Sequence, residues 1–270
     1  MKIYDCFIFN KENLLAKLRF NILNKYVDFF VICEARQNHK GDIKNYNFDI
    51  NDYKGFEEKI IYLKLENFPK DLNPWQRQDF QRNFLYEGIK EADSDDIIIF
   101  SDADEIPNLS ILDDNYLKQI KKGYVGIFYQ YLYYYKLNLL SSYENNWEGS
   151  RVILKKNLSN FANLRKIVFK NSKYPFWRFD KFKKVFKINN GGWHFSYLMR
   201  PSEIIRKIEG SPHEELNLKE YKNEDYILKK ITNNEDIYNR DITYRKIDLS
   251  EKYLPNYIIE NSDELKEWIV

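Results

Sequence analysis

The densest group of side chains able to do chemistry is the run Asp95-Asp96-Ile97-Ile98-Ile99-Phe100-Ser101-Asp102-Ala103-Asp104-Glu105-Ile106-Pro107. Four apolar residues read as a buried strand, and Asp102, Asp104 and Glu105 follow at its exit. Like charges bunched at a strand end destabilise one another unless a cation joins them. Hard cations such as Mg2+ or Mn2+ take oxygen ligands, often one or two carboxylates together with substrate phosphates. The plain alternative is a solvated turn that caps a helix starting near Pro107.

Other candidates are scattered along the chain. Arg77 and Arg82 fall five apart on one helical stretch, so they do not share a face. Each is either a surface charge or, for Arg82, a guanidinium fork suited to phosphate oxygens. Glu34 ends a strand and is either a helix cap or an acceptor for a ribose hydroxyl or base. Of the three histidines, His39 lies in the polar loop Gln37-Asn38-His39-Lys40-Gly41 and is expected in solvent. His194 sits in Gly191-Gly192-Trp193-His194-Phe195-Ser196-Tyr197, where two glycines permit close backbone approach. It is either a packed core residue or a ligand. His213 precedes Glu214 and Glu215 and is a second candidate ligand. Trp147 and Trp193 are either core residues or platforms on which sugar faces stack.

These groups need a scaffold, and the chain supplies one in alternation. Ile3 to Phe9, Tyr26 to Cys33, Lys59 to Leu65 and Asp96 to Phe100 read as strands. Between them, Glu12 to Leu23 has helical apolar spacing, and Trp75 to Glu91 follows Asn73-Pro74, a helix-start signal. Such alternation predicts an α/β fold with a mostly parallel central sheet covered by helices on both faces. Ligands on such sheets bind at the carboxyl ends of the strands, where the acidic loop lies. Further on, Gly126 to Leu137, Val152 to Leu154 and Lys184 to Ile188 read as strands and Pro201 to Ile208 as a helix. A single domain over residues 1–270 is expected, with a core to about 217 and a charged extension over about 218–270 that carries amphipathic patches such as Tyr226 to Ile231.

Composition narrows the function. The 270 residues are 43% hydrophobic and 31% charged, the proportions of a globular protein. Lys and Arg total 43 against 41 Asp and Glu, and a net charge of +2 argues against a nucleic-acid partner. Aromatics reach 17%, reflecting either an AT-rich genome or carbohydrate stacking. The two cysteines lie in apolar strands, form no disulfide framework, and suggest a reducing compartment. No run approaches the ~18 apolar residues of a membrane span, and no signal peptide is recognisable. No integral membrane segment and a cytoplasmic location are expected.

Read together, the motifs resemble glycosyltransferase family 17. The resemblance rests on the acidic run and on Ile3-Tyr4-Asp5-Cys6-Phe7 with Glu12 and Arg19. It extends through Val27 to Ala35 with Gly41, Pro74-Trp75 with Arg77, Gln81 and Arg82, Trp147-x-Gly149, Gly192 to Tyr197, and His213-x-Glu215. Asp79 departs from the expected Glu, and residues beyond Glu220 match poorly. The resemblance implies a GT-A-like nucleotide-sugar transferase fold and inverting transfer, with a β-linked product. The implied donor is UDP-N-acetylglucosamine (UDP-GlcNAc), the acceptor a glycan hydroxyl and the cofactor Mn2+ or Mg2+. It further implies metal ligation by Asp104, Asp102 and His194, and donor binding by Asp102, Arg82, Glu34 and Arg77. Glu215, in the His-x-Glu pattern, is then the general base, with Glu214 and Glu148 as alternatives and Glu105 orienting the catalytic groups, and Trp147 and Trp193 meet the acceptor. Two rivals remain: a metal-dependent nucleotidyltransferase or phosphoesterase, and an inactive glycan-binding module.

Overall fold

In each of the first strands, alternate apolar side chains leave on opposite faces, so both faces must be covered. The computed structural model describes residues 1–143, 146–250 and 252–270. The elements run β1 (Ile3–Phe9), α1 (Asn13–Leu23), β2 (Phe29–Ala35), β3 (Ile60–Leu65), α2 (Pro74–Phe84), β4 (Ile97–Ser101), β5 (Glu105–Pro107) and α3 (Asp114–Lys121). They continue as β6 (Val125–Tyr134), β7 (Leu139–Ser141), β8 (Trp147–Leu154), α4 (Phe161–Lys166), β9 (Val185–Ile188), β10 (Gly192–Ser196), α5 (Pro201–Gly210), α6 (Glu224–Thr232), β11 (Tyr244–Lys246) and α7 (Asn256–Glu260).

The sheet path is β11-β7-β6-β8-β4-β1-β2-β3. The stretch β4-β1-β2-β3 is parallel, as the early alternation predicts. Beyond it the sheet is mixed: β8 runs antiparallel to both β4 and β6. The aromatic strand β6 is long enough to pair with β9 over its first half and with β10 over its second, both parallel. Phe7, Phe9, Ile97 and Ile99 pack on one face with Leu15 and Phe20 of α1. Tyr4, Cys6, Ile98 and Phe100 pack on the other with Phe161 and Leu164 of α4.

Local signals explain several boundaries. The helix signal at Asn73-Pro74 becomes a capping box, in which Asn73 and Gln76 exchange hydrogen bonds of 2.9 Å. The expected Trp75–Glu91 helix tightens into a 3-10 turn over Leu85–Ile89, where Leu85 and Ile89 are both fully buried. The second strand starts later than expected, because Tyr26 and Val27 close the turn after α1 by bonding back to the Leu23 carbonyl. Pro107 starts no helix. It ends β5, opposite Gly192 of β10. Gly192 has φ 129°, and a Cβ there would lie 2.2 Å from the Ile106 carbonyl oxygen, so only glycine fits this crossing.

The segment expected as an extension is woven into the core. β11 pairs with β7, and Ile247, Leu254 and Ile258 lie within the cluster that covers α1. α5 and α6 close a third cluster through Ile204, Ile208 and Ile227. Among the described residues no helix is long and apolar enough to cross a membrane.

One buried ion pair ties these layers together. Arg19 of α1 donates through Nε and Nη2 to both carboxylate oxygens of Asp5 at 2.6 Å, and both residues are 0% exposed. Its Nη1 donates to the Glu105 carbonyl at 2.7 Å. Arg19→Met would leave a buried, uncompensated carboxylate and should cost about 3–5 kcal/mol of stability in urea unfolding. The double variant Arg19→Met/Asp5→Leu should recover much of that loss. A single variant as stable as wild type would remove this pair from the account.

Candidate functional site

β4 delivers the acidic loop to the carboxyl edge of the parallel strands, and β5 with β10 pins its far side: the Phe195 amide donates to the Asp104 carbonyl at 2.8 Å. Each carboxylate meets a different set of donors. Asp102 receives Arg82 Nη2 from α2 and Arg165 Nη2 from α4, each at 3.0 Å. Burial pushes its pKa up, but the guanidiniums of Arg165 and Arg82 outweigh burial and hold it at about 2. Asp104 Oδ2 accepts from Lys207 Nζ of α5 at 2.9 Å, and His194 Nε2 lies 3.6 Å from Oδ1. Burial again opposes ionisation, and Lys207 with His194 overcomes it, so Asp104 sits well below the usual carboxylate range.

Glu105 faces inward and is 1% exposed. It accepts from Trp147 Nε1 and Arg165 Nη2, each at 2.8 Å, and from the Asp102 amide at 3.3 Å. It therefore lies behind the loop, held by these three donors. Trp147 is 36% exposed, and its ring lies 4.5 Å from that of His194. These two side chains form one wall, with the carboxylates beside them.

A cavity of about 220 Å³ opens against this loop. Phe9, Asn10 and Glu12 line it from the end of β1, Gln78 and Gln81 from α2, and Asp102 to Asp104 from the loop. Lys207 and Ser211 to His213 close it from the side of α5. A second space of about 500 Å³ meets it at Glu12 and Lys207. Burial raises the Glu12 pKa against the lowering influence of Lys207.

Several expected site residues are placed elsewhere or otherwise engaged. Glu34 is fully buried and saturated by its own chain: Lys44, the Asn47 side chain, the Asn47 and Phe48 amides, and Tyr62 all donate to it. It fastens the loop after β2. Arg77 donates to the His39 carbonyl at 3.1 Å and steadies that loop from outside the cavity wall. Trp193 does not meet the site. It is 7% exposed, packs in the core and donates to the Tyr253 carbonyl, because alternate residues of β10 face opposite ways.

Glu215 is exposed and stands outside the cavity wall, but its Oε1 lies 2.7 Å from Nδ1 of His213, which does line the wall. Glu148, an alternative base, is taken up by the Tyr129 hydroxyl and the Phe169 amide. Glu214 is exposed in the same turn as Glu215. Arg165 and Lys207, which supply most of the positive charge, carry no recognisable sequence motif.

Among the described residues no three His, Cys, Asp or Glu side chains converge into a metal cage. The donors present suit a cation held largely by substrate phosphate, for which one or two protein ligands suffice. Asp104 and His194, 3.6 Å apart, are the two residues that could serve as such ligands. The Nδ1 of His194 is buried without a partner, leaving the ring held by packing rather than by a hydrogen bond. Asp102, also expected as a ligand, is paired with two guanidiniums and would have to exchange one of them to hold a cation.

The sequence from residue 1 to 266 matches the model of glycosyltransferase family 17. The chain belongs to that family. It is 31% identical over 108 residues to human β-1,4-mannosyl-glycoprotein 4-β-N-acetylglucosaminyltransferase, covering 36% of this chain and 20% of that protein. The rat enzyme of the same name is 28% identical over 116 residues, covering 39% and 22%. The matched stretch thus spans about a fifth of these relatives. Among solved structures, HddC from Yersinia pseudotuberculosis aligns with a TM-score of 0.35 at 12% identity, covering 71% of this chain and 92% of that one. A glycosyltransferase involved in glycosylating the major capsid of PBCV-1 aligns at 0.32 and 11%, covering 70% and 81%.

His39, expected in solvent, instead turns its Nε2 to Gln81 Oε1 at 2.9 Å and lines the cavity. Burial holds its pKa down at about 4, from an ordinary 6.5. The unfolded chain therefore binds this proton first as pH falls, so stability is full above about pH 6.5 and declines toward pH 4. Melting temperatures across that window should fall less steeply for His39→Asn than for wild type. Parallel curves would contradict a half-buried, neutral His39.

Proposed function

We propose that this chain transfers a sugar from a nucleotide-diphosphate donor, UDP-GlcNAc, to a glycan hydroxyl with inversion, on a GT-A-like scaffold. The observation that carries the reading is the charge pattern at the strand edge. Three cationic side chains, Arg82, Arg165 and Lys207, converge on Asp102 and Asp104 beside a cavity. A diphosphate needs positive charge held in place, and a divalent cation needs the oxygens of Asp104. Family membership and the names of the curated relatives support the same choice.

Inverting transfer forms a bond from the acceptor oxygen to the anomeric carbon while the bond from that carbon to the diphosphate breaks. The acceptor's proton passes to a base. His213 with Glu215 suits that role better than Glu215 alone, because the imidazole lines the cavity and the carboxylate holds its other face. Lys207 and the guanidiniums oppose the charge that builds on the leaving diphosphate. Asp104 and His194 would hold Mn2+ or Mg2+, which supplies Lewis-acid stabilisation of the same leaving group. Trp147 offers its exposed edge to the acceptor sugar.

The test is UDP release from UDP-GlcNAc with Mn2+ and a panel of glycan acceptors. Acceptor-dependent UDP release supports transfer. Release of N-acetylglucosamine 1-phosphate instead of UDP indicates a nucleotidyltransferase or phosphoesterase, and glycan binding without turnover indicates a binding module. Asp104→Asn should lower turnover at least a hundredfold; because it also gives up the charge paired with Lys207, some loss of melting temperature is expected, and circular dichroism checks that the fold is retained. Full activity in excess EDTA would remove the metal from the reading.

His213→Ala should reduce kcat by about 10²–10⁴, the usual worth of a general base, while leaving UDP affinity by calorimetry unchanged. Glu215→Gln should reduce kcat less, again without raising KM for the donor. Unaltered kcat in both variants would exclude this pair.

A further inference from the structure

The connection between α4 and β9 does something none of the site chemistry requires: it holds large aromatic rings in water. Phe176 is 79% exposed, Trp177 61%, Phe179 88% and Phe182 38%. Exposing this much contiguous apolar surface is unfavourable and marks a contact surface.

The surrounding charge is equally one-sided. Lys170, Lys173, Arg178, Lys181, Lys183 and Lys184 share the segment with a single acid, Asp180. That acid is already neutralised, by Arg178 at 2.7 Å and Lys181 at 3.4 Å. The loop also has its own order. Lys183 Nζ donates to the Phe176 carbonyl at 2.8 Å, the Phe176 and Trp177 rings meet edge to face at 5.2 Å, and Arg178 lies over Tyr174. The rings are displayed by a built turn.

We propose that residues 174–184 form a docking loop for an anionic lipid surface. Trp and Phe side chains favour the boundary between headgroups and acyl chains, and clustered Lys and Arg are drawn to the negative potential of anionic headgroups. Exposed aromatics interleaved with cations match both demands at once. A sugar-stacking surface would use the rings but has no need of the four cations within the loop and the two just before it, and a docked protein would need an acidic face to match them. By itself such a loop gives reversible attachment. The proposal does not depend on the glycosyl-transfer reading.

The test is flotation of the full chain with phosphatidylcholine vesicles, with and without phosphatidylglycerol. Wild type should float with the anionic vesicles and stay behind with the neutral ones, and added salt should weaken the binding. Phe176→Ser/Trp177→Ser/Phe179→Ser should bind at least tenfold more weakly. These side chains are exposed, so the variant should keep the wild-type melting temperature. Lys181→Glu/Lys184→Glu should lose binding while retaining every ring. Wild type that ignores anionic vesicles, or variants that bind as well as wild type, would overturn the proposal. Displacement of wild type from vesicles by soluble glycans would also overturn it and assign the rings to an acceptor.

Discussion

Asp5 and Arg19 are wholly withdrawn from water, and the loop that carries the candidate chemistry hangs on their pairing. Burying two charges is favourable only with close geometry and further hydrogen bonds, and Arg19 satisfies that condition by spending its remaining donors on the acidic loop. The loop backbone is thereby tied to β1 and α1 before any of its own side chains act. Gly192 provides the complementary constraint from the other side, where only a residue without a Cβ lets β10 approach β5.

With the backbone fixed, the carboxylates themselves are stabilised by cations from three different helices. Arg82, Arg165 and Lys207 arrive from α2, α4 and α5, separated by long stretches of chain. None of these helices could hold its charge at the sheet edge alone. Packing of α2 and α4 on one face and of α5 on the third cluster brings them there. The site is therefore a product of tertiary packing, with Asp104 on the cavity wall and the His194 ring 3.6 Å behind it.

Much of the scaffold was legible in the chain. The short apolar runs at Ile3 to Phe9 and Asp96 to Phe100, and the signal at Asn73-Pro74, are local and translate directly into β1, β4 and α2. The acidic loop was legible because a strand exit is a local feature too. Arg165 and Lys207 were not, since an arginine or lysine on an amphipathic helix looks the same whether it meets solvent or a carboxylate far away in sequence. Trp193 and His194 show the same limit: neighbours in sequence, they face opposite sides of β10, and their surroundings are decided by pairing with β5 and β6. Glu34 and His39 differed from expectation because their partners, Asn47, Tyr62 and Gln81, come from other elements.

In the proposed function, the acidic loop and β10 together would present Asp104 and His194 to a cation that the donor diphosphate brings with it. Anomalous diffraction at the manganese edge, from crystals grown with Mn2+ and UDP, tests this most directly. The account predicts one strong peak between the Asp104 carboxylate and His194 Nε2, with the UDP phosphates completing the shell. A peak held by other residues, or UDP bound in the cavity with no peak at this position, would contradict it.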